Sequence, residues 1–413
     1  MNQHNVKVGK LERCQITMST NLFEAIDLGF QPPCGTLLTQ ETLRDPETYY
    51  PLRLMVCPTS GLGQLDYVVG SDICFPKNYP YRPGISVPLR EHLDVLAKDV
   101  VLKNKIKPGS LIVDIGSNDG TLLSCFKKLD MKVLGVEPTN MAQVANSDGI
   151  ETVQAFFNKE VAQEIVEKYG RASVITFTNV FAHMASLGDV MEGVRVLLHA
   201  DGVVVSESQY LLDVFEGNQF DEIYHDHIRI YSLKSLVKLF PYYGLEVFDA
   251  KRVATREGSI EVTAGWMRQH PLTPEVNRLL QVEKDVGLFT PEGWNKFRER
   301  VAIQKGKFKA EYESCMSEGK TMVADSCPTR GVVLLNYYDL ELPYVSQLPG
   351  TEKIGKFIPG THTPIVSNEV ILTDQPDYIL ILAWHYSDYI IKNWRAKGVK
   401  AKFIIPLPEF TII

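Results

Sequence analysis

Apolar and polar positions along the 413-residue chain follow three patterns in succession. Residues 1 to about 75 are irregular and rich in turn signals such as QPPCG and CPTSGLG, and they contain no long amphipathic helix. Short apolar runs then alternate with helical periods as far as residue 268, and a second alternating stretch follows. These patterns predict three domains, at 1–75, 76–268 and 269–413.

The middle block predicts a parallel sheet. Its strand-like apolar runs are LIVDI (111–115), KVLGV (132–136), SVITFTN (173–179) and GVVVSES (202–208). We expect helices through Leu129 and around 187–199, and a closing antiparallel pair from EVFDAKRVA and SIEVTAGW. Alternating strands and helices favour an α/β fold, in which a mostly parallel sheet is covered by helices on both faces.

The third block predicts a second α/β unit after a charged helix. That helix has a recognisable start, with Thr290 as N-cap and Pro291 at the first helical position. A further helix is expected near 387–397. The predicted strands are TMVAD (321–325), YILILAW (378–384) and KFIIPLP (402–408).

Composition and charge exclude several classes of protein. Hydrophobic residues make up 45% of the chain, the formal net charge is −7, and no block of Lys and Arg is present. Such a chain has no electrostatic footprint for nucleic acid or an anionic membrane. No stretch approaches the ~20 apolar residues of a membrane span, and the first twenty residues lack the apolar region of a signal peptide. Seven scattered Cys are typical of reduced thiols, so we expect a cytoplasmic protein.

A glycine-rich turn follows the first predicted strand of the middle block, in VDIGSNDGTLL (113–123). Gly116 and Gly120 permit a tight turn and a close approach to a ligand. The spacing is G-x-x-x-G, and the flanking Asp114 and Asp119 would repel a pyrophosphate but attract a cationic sulfonium. Glu137 ends the next strand, where it can accept hydrogen bonds from ribose hydroxyls. The pattern favours S-adenosylmethionine over a dinucleotide; the alternative is an ordinary turn with structural glycines. The predicted binding residues here are Asp114, Gly116, Asn118, Asp119, Gly120, Glu137 and Pro138.

A second candidate site is the segment NQFDEIYHDHIRIYSL (218–233), which brings Tyr224, His225, Asp226 and His227 together. Histidine is a natural general base near neutral pH, and a neighbouring carboxylate can orient its ring. His183 follows a strand whose end faces the same crevice as the glycine-rich turn. The alternatives are a metal pair, a solvated turn and, for His183, a structural role.

At these residues the sequence resembles the sugar-nucleotide C-methyltransferases that build branched deoxysugars, and the likeness covers nearly the whole chain. The segment EGNQFDEIYHDH is similar to the family's EGNQFDTIYHEH. Further motifs that match are VDIGSNDGTLL, VLGVEPT, NVFAHM, LLNY, GKFIPGTHTPIV and LAWHYSD.

The resemblance implies an enzyme of three domains, with a Rossmann-like class I methyltransferase domain in the middle and a second α/β domain at the C-terminus. It makes His227 the base, assisted by Asp226 where the family usually has Glu. Tyr224 and His183 match further active-site positions. Either Tyr79 or Tyr81, in NYPYRPGIS, lies where the family places a tyrosine over the cofactor. The nucleotide-diphosphate sugar is expected between the last two domains, at Asn179, Asn218, Arg330, Asn336 and His362.

The chain departs from the family pattern at two places. The family's N-terminal domain holds zinc with two C-x-x-C pairs, but here Thr17 and Ser60 replace the second Cys after Cys14 and Cys57. Two thiolates are too few for a closed structural zinc site, and Cys34 fits no common spacing, so we expect no metal. The family's C-terminal glycine-rich turn has also lost its glycines, and its Lys has become Arg330.

The predicted activity is methylation of a nucleotide-linked 4-keto-deoxysugar at the carbon next to the ketone, through a base-generated enolate. An O- or N-methyltransferase acting on a nucleotide sugar is one alternative. A non-catalytic cofactor-binding homologue is another. The sequence gives no indication of the oligomeric state.

Overall fold

Two parallel-stranded sheets and a smaller antiparallel one organise the chain, as seen in a computed structural model. The structure describes residues 4–74, 82, 84 and 86–413. The side chains of 71, 72 and 256 are not described.

The N-terminal segment forms a four-stranded antiparallel sheet, where the sequence predicted an irregular block. Its strands are β2 (Phe23–Gln31), β3 (Tyr50–Val56), β4 (Gly63–Leu65) and β11 (Arg229–Ile230). A two-stranded ribbon pairs β1 (Gly9–Lys10) with β5 (Tyr67–Val68), and α1 (Ser71–Cys74) follows. Because β11 comes from the middle of the chain, the segment packs directly against the central domain.

The central sheet has seven strands in the order β12-β13-β10-β9-β6-β7-β8. These are β6 (Leu111–Ile115), β7 (Lys132–Val136), β8 (Thr152–Val153), β9 (Ala172–Thr178), β10 (Leu198–Gln209), β12 (Leu245–Val253) and β13 (Ser259–Trp266). The five neighbouring strands β10, β9, β6, β7 and β8 are parallel. Strands β13 and β12 pair antiparallel at one edge of the sheet. All five residues of β6 are buried, as expected of a strand covered on both faces.

Seven α-helices accompany this sheet among the residues that the structure describes. They are α2 (Val87–Lys103), α3 (Thr121–Lys127), α4 (Met141–Ser147), α5 (Lys159–Tyr169), α6 (Leu187–Leu197), α7 (Leu211–Glu216) and α8 (Leu233–Leu239). Ser232 caps α8, since its side chain accepts a hydrogen bond from the Ser235 amide. The predicted α/β fold is confirmed, including the closing antiparallel pair.

Two helices connect the central sheet to the last one. In α9 (Pro274–Asp285) the preceding Thr273 amide donates to the Phe248 carbonyl on β12, so this helix lies against the central sheet. The long helix α10 (Pro291–Ser317) begins where predicted, with Thr290 accepting from the Gly293 amide at 3.2 Å.

The C-terminal sheet has six strands in the order β16-β15-β14-β17-β18-β19. Its strands are β14 (Met322–Asp325), β15 (Val345–Gln347), β16 (Ile365–Ser367), β17 (Tyr378–Ile381), β18 (Lys402–Ile405) and β19 (Thr411–Ile412). Only β19 is antiparallel to its neighbour. The associated helices are α11 (Thr329–Tyr338), α12 (Val370–Asp374) and α13 (Ser387–Ala396).

None of the helices in the described part of the chain is both long and apolar enough to cross a membrane.

Candidate active site

The glycine-rich turn lies at the carboxyl end of β6, at the edge of the sheet where α/β proteins bind ligands. Gly116 has φ +71°, and a Cβ there would lie 2.6 Å from the Val180 side chain. Gly120 has φ +74°, precedes α3, and would bring a Cβ within 3.0 Å of Ile150. Both positions therefore disfavour other side chains by their left-handed backbone, and Gly116 also by its close approach to Val180.

Glu137 fastens this turn to the end of β7. One carboxylate oxygen accepts from the Asn118 amide at 3.1 Å, and the other accepts from the amide and hydroxyl of Thr139 at 2.9 and 2.6 Å. The side chain is 5% exposed, and Pro138 follows it in a half-buried position. A carboxylate held at this edge, beside a turn without bulky side chains, suits the ribose hydroxyls of S-adenosylmethionine.

The two acidic residues that flank the turn differ in their surroundings. Asp114 lies within β6 and accepts from the Thr176 hydroxyl at 2.5 Å, and its burial raises its pKa to about 7. Asp119 accepts from the Thr121 hydroxyl at 2.6 Å and from the Gly84 amide at 3.1 Å. The same carboxylate of Asp119 also lies 3.6 Å from Nε of Arg82, and the attraction of both acidic residues for a sulfonium stays a prediction. Tyr79 and Tyr81 lie outside the described residues.

The His227 ring is buried and held at both nitrogens. Its Nδ1 lies 2.8 Å from the carbonyl oxygen of Glu222 and 3.7 Å from a carboxylate oxygen of the same residue. Its Nε2 lies 3.0 Å from the Gln209 amide nitrogen. A carbonyl oxygen only accepts, so Nδ1 carries the proton and Nε2 of the neutral ring presents its lone pair.

Two further predicted residues surround His227. The Tyr224 ring lies 3.9 Å and the His183 ring 5.0 Å from it, between centroids. His183 Nδ1 is 2.6 Å from the Asp226 carbonyl oxygen. His183 follows Val180, which contacts Gly116, so the histidine cluster borders the predicted cofactor turn.

Asp226 has a different environment from the one predicted. Both nitrogens of His227 have partners other than its carboxyl, which burial shields from solvent and which interacts with Cys74. Burial raises the pKa of Asp226 to about 7, and it lowers that of His225 to about 4. Together with His183 they line a cavity of about 70 Å³, too small for a nucleotide sugar. The prediction that Asp226 assists His227 is corrected, because Glu222 holds that place.

Sequence reasoning missed Glu222 and Gln209 as partners of the histidine. Glu222 lies in the 220–222 turn of the EGNQFDEIYH motif, so its proximity to His227 in the chain was an available signal. Gln209 ends β10, and nothing in its local sequence indicates that its amide meets a residue 18 positions away.

The five predicted substrate residues are not brought together. Arg330 is 6% exposed and pairs with Asp221 at 2.8 Å, while Asn218 donates to the Pro408 carbonyl at 3.0 Å. Asn336 donates to the Val332 and Pro359 carbonyls. Internal partners thus occupy these three side chains, and their assignment to the substrate stays a prediction.

The other two predicted substrate residues keep different positions. Asn179 follows β9 at the cofactor edge with φ +56°, and its side-chain oxygen has no hydrogen-bond partner among the described residues. His362 is half exposed and pairs with Glu47 of the N-terminal segment.

The four positions of the family's zinc site lie close together, but two of them carry hydroxyl groups instead of thiols. Cys14 Sγ lies 3.1 Å from the Ser60 hydroxyl, and Cys57 Sγ lies 3.8 Å from the Thr17 hydroxyl. The residues that the structure describes include no group of three or more His, Cys, Asp or Glu suited to a metal. Two thiols with two neutral hydroxyls do not fit a structural zinc ion.

Comparison with known proteins identifies the family to which the chain is similar. Three family models match in order: a zinc binding domain at 14–75, a methyltransferase domain at 89–250 and the C-methyltransferase C-terminal domain at 254–408. C-methyltransferase NovU of Streptomyces niveus is 32% identical over 412 residues, which cover 98% of each chain.

Two solved structures are similar to part of the chain. Magnesium protoporphyrin IX methyltransferase of Synechocystis PCC 6803 with bound S-adenosylmethionine is 15% identical with a TM-score of 0.33, over 44% of this chain and 80% of its own. A Burkholderia thailandensis 1,6-didemethyltoxoflavin-N1-methyltransferase with bound S-adenosylhomocysteine is 16% identical with a TM-score of 0.36, over 50% and 94%. These low scores add no argument beyond the family match. By its relative and its three family models, the chain belongs to the C-methyltransferase family and is an S-adenosylmethionine-dependent methyltransferase.

Proposed function

We propose that the enzyme methylates a nucleotide-linked 4-keto-deoxysugar at the carbon next to the ketone. The observation that carries the proposal is the buried His227 ring with half-buried Tyr224 and His183 packed against it, where His183 lies three residues after the Val180 that contacts the cofactor turn. A carbon acceptor needs a base to remove a C–H proton and groups to stabilise the enolate oxygen. An oxygen or nitrogen acceptor forms no enolate, so it needs no groups that stabilise one.

His227 supplies the base. With Nδ1 bonded to the Glu222 carbonyl, Nε2 is the nitrogen that accepts a proton from the sugar carbon. Gln209 now donates to that nitrogen, so its amide has to turn aside or reverse when the proton arrives. The Glu222 carboxylate, 3.7 Å from Nδ1, stabilises the resulting imidazolium.

Tyr224 can donate a hydrogen bond to the enolate oxygen or to a sugar hydroxyl. The Nδ1–H of His183 donates to the Asp226 carbonyl, so Nε2 of the neutral ring can accept a hydrogen bond from a sugar hydroxyl. When bound, S-adenosylmethionine supplies an electrophilic methyl group on its sulfonium. The turn at 116–120 and Glu137 hold that reactant at the same sheet edge, and fixing two reactants there contributes much of the rate.

The test is to incubate the full chain with S-adenosylmethionine and a panel of thymidine- and uridine-diphosphate 4-keto-6-deoxysugars. Mass spectrometry should show a gain of one methyl group on at least one keto sugar, and carbon NMR should show a new C–CH₃ group. The matched 4-hydroxy sugars should give no product. Methylation of a hydroxyl or amine, or equal reaction of the 4-hydroxy sugars, would contradict the proposal.

A further inference from the structure

The C-terminal unit has a ligand crevice that is filled by the central domain. Strands β15 and β17 lie on opposite sides of β14, so the connections after β14 and β17 diverge at the carboxyl edge of this sheet. Open α/β sheets bind their ligands at such a switch point. Arg330, in the first turn of α11, and Trp384, after β17, border it. The acidic turn 220–222 occupies the position of a ligand.

Asp221 is bound there in the manner of an anionic ligand. Its two oxygens accept from Nε and Nη2 of Arg330 at 2.8 and 2.9 Å, a bidentate pair. The indole N–H of Trp384 donates to the same carboxylate at 2.9 Å, and the guanidinium lies 4.6 Å from the Trp384 ring. Asp221 is completely buried.

Arg330 also reaches the residue that holds the base. Its Nη1 lies 2.6 Å from one carboxylate oxygen of Glu222, whose other oxygen is 3.7 Å from Nδ1 of His227. We propose that Arg330, with Trp384, is a positioning residue through which the C-terminal unit orients Glu222 and sets the basicity of His227. This inference rests on the proposed function of His227 as the base.

The charges around the ring determine in which direction each substitution shifts the titration of His227. Asp221 and Glu222 contribute two negative charges and Arg330 one positive charge, so a proton on His227 balances the set. Burial lowers the pKa of Arg330, but the two carboxylates outweigh it and raise the pKa, so the guanidinium stays charged. Burial raises the pKa of the neighbouring Glu257 to about 7. Other groups facing the ring or adjoining it are Tyr224, His183, Gln209 and Asp226.

Removing Arg330 should therefore favour the imidazolium, and removing the charge of Glu222 should disfavour it. Charges at these distances move a titration by about one pH unit or more. A purely structural contact would not move the His227 titration in opposite directions in the two variants.

The experiment is an NMR titration of the full chain labelled with ¹³C at the histidine ring, without substrate. The His227 signal is identified by its loss in His227→Asn. We expect the midpoint to rise by about one unit in Arg330→Gln, to fall by about one unit in Glu222→Gln, and to stay near wild type in Arg330→Lys. Arg278→Gln, an exposed arginine paired with Glu275, is the matched control and should match wild type.

Unchanged midpoints in both charge variants, or shifts in the same direction, would overturn the inference. If Arg330→Gln does not fold, Glu222→Gln alone decides, and a His227 midpoint that does not fall in that variant overturns the inference. Folding of each variant is checked by calorimetric binding of S-adenosylmethionine. Since no sugar is used, this outcome is independent of whether a keto sugar is the substrate.

Discussion

The Nδ1 atom of His227 lies 2.8 Å from the carbonyl oxygen of Glu222, and this contact leaves Nε2 as the nitrogen of the ring that can accept a proton. We expect His227→Asn to abolish methylation while S-adenosylmethionine still binds, since the cofactor turn does not depend on the ring. The wild-type rate should fall as pH drops through the usual histidine range, because only the neutral ring is a base.

Proton removal can be measured without methyl transfer, which tests the role of His227 as the base by itself. In deuterated buffer, with a keto sugar and no methyl donor, wild type should exchange deuterium into the position next to the ketone, and His227→Asn should not. Exchange at the wild-type rate in the variant would move the base elsewhere, with His183 or His225 as the next candidates.

Glu137 is predicted to hold the ribose of the cofactor. In Glu137→Ala both ribose hydroxyls lose their acceptor, and the amide of Asn118 loses its anchor. We expect the affinity for S-adenosylmethionine to weaken by ~1–3 kcal/mol, measured by calorimetry. Glu151→Ala, an exposed carboxylate just before β8, should bind as wild type does. Undiminished affinity in Glu137→Ala would refute the assignment.

The cluster of Cys14, Thr17, Cys57 and Ser60 allows metal binding to be tested both without and with the two missing thiols. Elemental analysis of chelator-washed wild type should find no stoichiometric zinc, because two of the four donors are neutral hydroxyls. The double variant Thr17→Cys and Ser60→Cys restores four thiols at converging positions, and it should retain about one zinc per chain. One zinc in washed wild type would show the prediction to be wrong.

The buried carboxyl of Asp226 predicts a pH dependence of stability. Its pKa is about 7 in the folded chain, raised by burial, against about 3.9 when unfolded. The folded state therefore holds the proton more tightly, and the stability that this gives is lost as pH rises from about 4 to about 7. Asp226→Asn lacks this loss, so its free energy of unfolding relative to wild type should rise by about 1–4 kcal/mol over that interval.

Urea unfolding at pH 4.5 and pH 8 measures the difference. The exposed Asp148→Asn serves as the control and should show no change relative to wild type between the two pH values. A pH-independent difference for Asp226→Asn would contradict the buried-carboxyl interpretation.

The sequence by itself determined the parallel strands of the central sheet and the glycine-rich turn, but not the strands of the N-terminal sheet. LIVDI and KVLGV coincide with β6 and β7, because a strand buried on both faces needs a short, uninterrupted apolar run. Gly116 and Gly120 were recognisable because both have a left-handed backbone, which favours glycine, and because Val180 lies close to Gly116. These are local requirements, which the order of residues records directly.

Tertiary structure alone decided which polar groups meet. Arg330 and Asp221 are 109 positions apart, and Gln64 of β4 pairs in register with Arg229 of β11 across a still longer gap in the chain. The adjacency of Asp226 and His227 in the chain suggested a dyad, yet Glu222 took that role. Residues next to each other in a turn point their side chains in different directions, and only the packing of three sheets fixes which of them faces the ring.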